Sequence, residues 1–315
     1  MFTYFDNDVY TNNVETNPKS FGEVGYSTDY DIELQKYFLT YSKDFANNSN
    51  LMTQIYRYED TTENKNGAYY NDELPGSPVR NDHLYDAYAN TLQQGFKSEY
   101  RKDGDKLAYM VGVDIARNEE DKNSKYRVDY NTSRRGVITE HFIGETTSDT
   151  EFTEDIAAVY AELKYQVTDK LIATANARYD HMEYDYTNHL ADVDEASTWD
   201  KDYNEQSYRV GATYKLEENS IFFANISTGF RVPTIDQLYA GDILSGRYDF
   251  ANNPDIDTET TINYEVGYRG QQGMFTYDIA IYQLDRDDMI TRNGGNYVGD
   301  SAGDIMYGNF ADVRV

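Results

Sequence analysis

Apolar residues recur at every second position through much of the chain. Leu107, Tyr109, Val111, Val113 and Ile115 are separated by Ala108, Met110, Gly112 and Asp114. The same beat runs through Val159, Ala161, Leu163, Tyr165 and Val167, and through Leu171, Ala173, Ala175, Ala177 and Tyr179. It returns at Tyr208, Val210, Ala212 and Tyr214, at Phe222, Ala224 and Ile226, at Ile262, Tyr264, Val266 and Tyr268, and at Phe275, Tyr277, Ile279 and Ile281. Period two over such lengths means strands with one apolar and one polar face. Tyr, Val, Ile, Thr and Phe also suit a pleated surface. No stretch carries the 3.6-residue stripe of an amphipathic helix, so the chain reads as all-β.

The connections sharpen this. Tight-turn residues stand at Ala46-Asn47-Asn48-Ser49, Asp103-Gly104-Asp105, Thr168-Asp169-Lys170, Glu217-Glu218-Asn219 and Gly270-Gln271-Gln272-Gly273. Such residues close hairpins. Between successive hairpins lie long polar stretches, roughly 60–88, 117–154, 187–206, 230–260 and 285–303, which read as loops. Tight turns at one end and large loops at the other, with apolar/polar alternation between, describe an outer-membrane barrel. Several strands run roughly 12–16 residues, more than the ~9–11 that cross a bilayer. A soluble sandwich is the competing architecture, but its strands are typically ~5–6 residues and its loops shorter.

Composition narrows the function. The chain has 315 residues, no cysteine and a net charge of −28. A surplus of carboxylates this large argues against a nucleic-acid surface, which needs clustered Lys/Arg. Without cysteine there is no disulfide scaffold, thiol nucleophile or Cys-ligated zinc. A mean hydropathy of −0.80 would exclude transmembrane helices, but half of every barrel strand faces a wet lumen, so the average looks soluble. The 32 tyrosines suit the aromatic girdles at the two membrane interfaces. The opening Met1-Phe2-Thr3-Tyr4-Phe5-Asp6 lacks the basic and apolar regions of a secretory leader.

Four blocks carry a family resemblance. Asn225-Ile226-Ser227-Thr228-Gly229-Phe230-Arg231-Val232-Pro233-Thr234, continuing to Leu238-Tyr239, resembles the Ser-x-Gly-Phe-Arg-Ala-Pro…Leu-Tyr segment of TonB-dependent receptors. Asn253-Pro254-Asp255-Ile256-Asp257-Thr258-Glu259 resembles the family's Asn-Pro-Asn-Leu-x-Pro-Glu block. Tyr282…Asp288-Met289-Ile290 and the hairpin from Tyr160 to Asp180 are similar to later and earlier strands. The four stand in family order across residues 157–310, and the first 150 residues agree in style only. Val232, Asp255-Ile256 and Thr258 depart from the usual alanine, Asn-Leu and proline. The resemblance implies a transmembrane antiparallel β-barrel, with residues 1–315 forming an internal fragment of about half of a 22-stranded barrel. No plug domain, energy-coupling box or terminal aromatic strand is visible.

The implied activity is active transport of a scarce nutrient across the outer membrane of a Gram-negative bacterium, energised by the TonB complex acting through the missing plug. A ferric siderophore is the first expectation. Haem or cobalamin uptake by the same family, or a passive porin or adhesin, are the alternatives, and a secreted glycan-binding sandwich comes last. No enzyme is expected, since no nucleophile, base and acid group together, and no cofactor or resident metal is called for. The expected partners are the TonB complex, the small ligand and outer-membrane lipid, and no nucleic acid.

The motif residues are Gly229, Phe230, Arg231, Pro233, Leu238, Tyr239, Asn253, Pro254 and Glu259. In the haem-uptake subgroup a histidine stands between the two main blocks; here Tyr239, Arg247 and Tyr248 occupy that stretch, and tyrosine can ligate ferric haem. Arg134-Arg135 is a candidate anion site on a putative outer loop. Trp199, the sole tryptophan, could stack on a ligand or anchor its loop. His83, His141, His181 and His189 lack metal-ligand spacing. The acid-rich run Asp192–Asp202 lacks the EF-hand spacing and reads as a solvated face. Arg231 and Arg269 are expected in lumen or loop ion pairs.

Overall fold

The computed structural model describes residues 2–15, 24–68, 85–126, 129–134, 137–190, 198–240, 251–292 and 306–315. The strands are β1 (Phe2–Glu15), β2 (Val24–Phe45), β3 (Ser49–Ala68), β4 (Tyr85–Lys102), β5 (Leu107–Tyr126), β6 (Tyr130–Arg134) and β7 (Val137–His141). They continue as β8 (Thr146–Gln166), β9 (Leu171–Asn188), β10 (Thr198–Glu217), β11 (Ser220–Arg231), β12 (Glu259–Gln272), β13 (Phe275–Arg292) and β14 (Tyr307–Arg314). A four-residue helix, α1 (Ile235–Leu238), interrupts the β11–β12 connection. Twelve strands form one sheet in the order β1-β2-β3-β4-β5-β8-β9-β10-β11-β12-β13-β14, and β6 and β7 form a separate hairpin. Among the described residues β1 and β14 do not pair with each other, so this is an open wall of barrel rather than two packed sheets.

Five hairpins close at the expected turns, the last centred on Gly273 and Met274 rather than on 270–273. The strands are longer than the alternation indicated: β2 has 22 residues, β8 has 21, and β3, β5 and β10 have 20 each. Much of what reads as polar loop is therefore paired strand. Beyond the lipid both faces meet water and the apolar beat fades. The backbone ladder needs no such beat, because main-chain groups pair whatever the side chains are.

The exposed face carries the apolar set. Val111, Val113 and Ile115 are exposed on β5, as are Val159 and Leu163 on β8, Val210 on β10, Ile226 on β11, Val266 on β12 and Ile281 on β13. Above Ile115 the same face turns to Arg117, and above Ile281 to Gln283 and Asp285. The ladder row through Ile281 runs by Val266, Ala224, Ala212, Ala173 and Tyr165 to Leu107. The top of the band thus drops by about eight residues, or about 26 Å, over six strand spacings of about 29 Å. That slope is roughly 40°, the tilt that barrel closure imposes. Tyr37, Tyr179, Tyr208 and Tyr264 mark the upper margin of the band on their strands, as an interfacial girdle requires.

The opposite face is polar and internally paired. Arg178 reaches Asp180 at 2.7 Å and Asp114 at 3.7 Å, Asn176 donates to Glu162 at 2.6 Å, and Asn225 donates to Glu265 at 2.8 Å. Arg269 pairs with Asp278 at 2.6 Å. Aromatic side chains cover glycines on this face, Tyr56 at Gly95 among them. A Cβ on Gly112 would meet the Tyr160 ring at 2.3 Å, and one on Gly267 would meet the Phe223 ring at 2.3 Å.

Val210→Arg, between the interface marked by Tyr208 and the bilayer midplane, is expected to destabilise the full receptor in lipid vesicles by about 1–3 kcal/mol, while Val210→Phe changes stability by under about 1 kcal/mol. Denaturant unfolding of the vesicle-inserted protein reads both. Equal costs would remove Val210 from the lipid face.

Candidate functional site

The β11–β12 connection carries most of the motif residues, and it folds against the lumen face of the strand extensions instead of standing free. Its anchor is Glu259, at the start of β12 and only 3% exposed. Glu259 Oε2 accepts from Arg231 Nη2 at 2.7 Å and from the Ile290 N–H at 3.1 Å, and Arg286 Nε lies 3.3 Å from Oε1. Arg231 also donates to the Ile290 carbonyl at 3.3 Å. One carboxylate thereby ties the ends of β11, β12 and β13 together. Burial acts to raise the Glu259 pKa, but Arg231, the Ile290 amide and Arg286 outweigh it and hold the carboxyl below its usual range. The expected ion-pair roles of Arg231 and Arg269 are both seen.

From Arg231 the chain turns through Val232 and the fully buried Pro233 into α1. The Thr234 N–H donates to Gln237 Oε1 at 3.1 Å, which fastens the start of the helix. Leu238 and Ala240 are 0% exposed. The second block returns beneath it: the Asn253 N–H donates to the Leu238 carbonyl at 2.7 Å, and Asn253 Nδ2 donates to the Tyr307 carbonyl at 2.8 Å. Ile256, where the family usually has leucine, is 1% exposed, so the apolar function of that position is kept. Asn309 on β14 accepts from the Asp257 N–H at 2.9 Å and donates to the Asp257 and Asp288 carbonyls at 3.0 and 2.7 Å.

The wall that receives this segment is aromatic. Met182, Tyr184 and Tyr186 on β9 and Tyr203 on β10 join Ile235, Leu238, Tyr239, Ile256 and Ile290 in one buried cluster, with Phe152 and Trp199 packed against it. Tyr239 stacks on Tyr186 with centroids 4.2 Å apart and meets Trp199 edge-on at 5.4 Å. Tyr184 contacts Phe152 at 5.1 Å and Tyr203 at 5.2 Å, both edge-on. Such pairs add about 0.5–1.5 kcal/mol beyond the area they bury. Burial pushes the Tyr184 and Tyr203 phenols far up, with help from Glu154 and Asp257 respectively. Both stay protonated at any physiological pH.

Two lysines hold the segment from the sides. Lys201 Nζ donates to the Pro254 and Ile256 carbonyls at 3.2 and 2.8 Å and sits 5.0 Å from the Tyr203 ring centroid. Burial lowers its pKa, partly opposed by Asp257 and Asp255. Lys122 on β5 reaches Asp236 of α1 at 3.1 Å. These groups all lie beyond the apolar band, at the loop end of the wall.

The structure brings the nine motif residues Gly229, Phe230, Arg231, Pro233, Leu238, Tyr239, Asn253, Pro254 and Glu259 into this one region. Of the ligand-loop candidates, Trp199 and Tyr239 join it, and Tyr239 is 8% exposed with its ring held between two protein aromatics. Arg134 ends β6 opposite Val137, with its side chain outside the described residues. Arg135, Arg247, Tyr248, His83 and residues 192–197 also lie outside them. His141 ends β7, His181 contacts Asn204 and Glu183 at 2.9 and 3.0 Å on the outer face, and His189 lies 3.3 Å from Glu151. Among the described residues no three His, Asp or Glu side chains are grouped to hold a metal ion. Sequence reasoning missed Lys122, Lys201, Tyr184, Tyr186 and Arg286. Only the alternation of Met182, Tyr184 and Tyr186 offered a signal.

Comparison with known proteins gives a consistent pattern. The family described as TonB dependent receptor-like, beta-barrel, matches residues 2–315. The vitamin B12 transporter BtuB of Vibrio vulnificus (strain CMCP6) is 30% identical over 97 residues, 31% of this chain and 14% of the relative. The rhizobactin receptor of Rhizobium meliloti (strain 1021) is 24% identical over 179 residues, 50% of this chain and 24% of the relative. Among solved structures, the copper transporter OprC superposes with a TM-score of 0.65 at 14% identity, covering 92% of this chain and 45% of that one. At that identity the likeness is one of fold. The chain spans less than half the length of OprC.

Glu259→Gln is expected to cost about 2 kcal/mol locally, toward the low side for a buried pair because Arg231 is partly exposed. Hydrogen exchange of the full receptor should show faster exchange at residues 232–240 and 251–258. Because the folded pKa of Glu259 is depressed, its contribution is full above the unfolded value of about 4.3 and falls away as pH drops through the lower folded value. Acidification below about pH 4 should therefore loosen the same residues in the wild type and add little in Glu259→Gln. Unchanged exchange in the variant would show that Glu259 does not anchor the segment.

Proposed function

Since the chain belongs to the TonB-dependent receptor family, as part of its β-barrel, we propose that it forms the wall of an outer-membrane active-transport receptor whose first candidate ligand is a ferric siderophore. The observation that carries this reading is the motif-built segment folded against an aromatic wall at the loop end of a tilted, lipid-facing sheet. In such a receptor the barrel holds a ligand-binding mouth above the membrane, and the TonB complex supplies energy through a plug domain. Family members are transport receptors rather than enzymes, and the ligand crosses with its bonds intact. The similarity to the rhizobactin receptor over half of the chain supports the siderophore class. The site itself serves the ligand indirectly. Tyr239 and Trp199 stiffen the mouth, while Arg134, Arg135, Arg247 and Tyr248, on the outer connections, are the residues proposed to meet an anionic iron complex.

A second reading has its own support. The 30% identity to a vitamin B12 transporter over 97 residues favours cobalamin as the cargo.

Deleting the gene for the full receptor in its native host is expected to abolish energy-dependent uptake of a labelled ferric siderophore and leave labelled cobalamin and haem uptake unchanged. Loss of cobalamin or haem uptake alone would overturn the siderophore assignment. Intact uptake of all three would overturn transport of these cargoes.

A further inference from the structure

β13 and β14 fall out of step beside the motif segment. Their register shifts by one residue between Arg286 and Met289 and shifts back between Met289 and Ile290. Arg286 opposite Val313 and Ile290 opposite Asn309 therefore stand in one register, and the disturbance is confined to the residues between. At its centre Asp288 has a φ of 55°. Among the described residues Asn48 is the other non-glycine residue with positive φ, and it lies in the β2–β3 hairpin turn, where such a backbone is expected. Asp288 lies inside β13. A left-handed residue there belongs to a bulge, and Asp is one of the few side chains that tolerate that backbone.

The bulge gives main-chain groups to side chains instead of to the ladder. The Asp288 N–H donates to Asp312 Oδ1 at 3.2 Å, and the Asp288 carbonyl accepts from Asn309 Nδ2 at 2.7 Å. Asn309 is also the link to the motif segment. The same Nδ2 donates to the Asp257 carbonyl at 3.0 Å, and Oδ1 accepts from the Asp257 N–H at 2.9 Å. Ile290 lies past the last β12–β13 pair, Thr260 with Asp287. Its N–H goes to Glu259 at 3.1 Å and its carbonyl to Arg231 at 3.3 Å. On the other side of the bulge Arg286 reaches Glu259 at 3.3 Å. The contacts that fix the segment's return into β12 thus bear on residues 286, 288 and 290.

We propose that Asp288 is a positioning residue for the motif segment, acting through its left-handed backbone and not through its charge. That backbone aims the Asp288 carbonyl at Asn309, and Asn309 in turn seats Asp257 beside the Glu259 anchor. With Asp288 in an extended conformation the carbonyl leaves Asn309, whose amide then lacks one of the three main-chain partners that fix it. A bulge that re-aims side chains beside a functional segment is a recurrent use of this irregularity. The inference concerns how the segment is held, and it is independent of which cargo the receptor carries.

The test follows hydrogen exchange of the full receptor at residues 232–240 and 251–258, with residues 171–179 of β9 as the internal reference. Asp288→Val places a β-branched side chain at a left-handed position and is expected to speed exchange of the segment about tenfold. The reference residues should not change. Asp288→Gly and Asp288→Asn remove the carboxylate but keep the backbone, and both are expected to stay within about twofold of wild type. Asn309→Ala should also speed exchange, and adding Asp288→Val to it should change the rate by less than about threefold. If Asp288→Val does not fold, Asp288→Ala reads the same effect at about fivefold. Wild-type exchange in Asp288→Val would overturn the proposal. So would an acceleration in Asp288→Gly and Asp288→Asn as large as in Asp288→Val, which would assign the role to the carboxylate. Effects of Asp288→Val and Asn309→Ala that multiply, or an acceleration shared equally by β9, would show general loosening and would overturn it as well.

Discussion

A strand in lipid must have every main-chain N–H and C=O satisfied by its neighbours, because hydrocarbon offers no partner. The rest of this structure follows from that constraint. It explains why twelve strands join edge to edge in sequence order and why side chains divide so cleanly between two faces. It also explains the roughly 40° slope of the apolar band, since a sheet that must curl to satisfy its edges has to stagger its strands. The apolar set is exposed rather than buried because its solvent is lipid, and no core in the soluble sense lies beneath it.

Above the lipid the constraint relaxes, and a different interaction takes over. The strands continue, wet on both faces, and their lumen side becomes an aromatic wall. Glu259 and Leu238 show how the connecting segment is held there. A buried carboxylate with two arginines and an amide fixes where the segment starts and returns, and apolar burial draws its middle against β9 and β10. Buried ion pairs add little net stability, so what the Glu259 network contributes is register. The segment can leave β11 and enter β12 in only one way.

The two levels were unequally legible. Alternation at Leu107–Ile115 and Leu171–Tyr179 was read directly, since a one-residue slip would turn every apolar side chain into water. Strand ends were not, because the polar rims of β3, β5 and β10 pair as strongly as the apolar spans. The motif residues were visible by resemblance, and their convergence was not. Lys201 meets the Ile256 carbonyl across 55 residues of sequence, Arg231 meets that of Ile290 across 59, and Lys122 meets Asp236 across 114. Contacts at such separations are set by strand register and tilt, which local composition does not encode. Trp199 illustrates the gap. Its place in an acidic run suggested either a ligand platform or an anchor, and only the position of Tyr239 shows which aromatic it touches.

The most direct test of the account is a nitroxide scan of β5 in the membrane-inserted receptor. These 315 residues hold no cysteine, so each label goes only where a cysteine is placed. Collision with oxygen, which concentrates in lipid, should peak at 107, 109, 111, 113 and 115, dip at the residues between, and give way above 117 to collision with a water-soluble relaxer. A scan with no period of two, or one in which residues 108 to 116 of even number are the lipid-exposed set, would contradict a lipid-facing barrel wall.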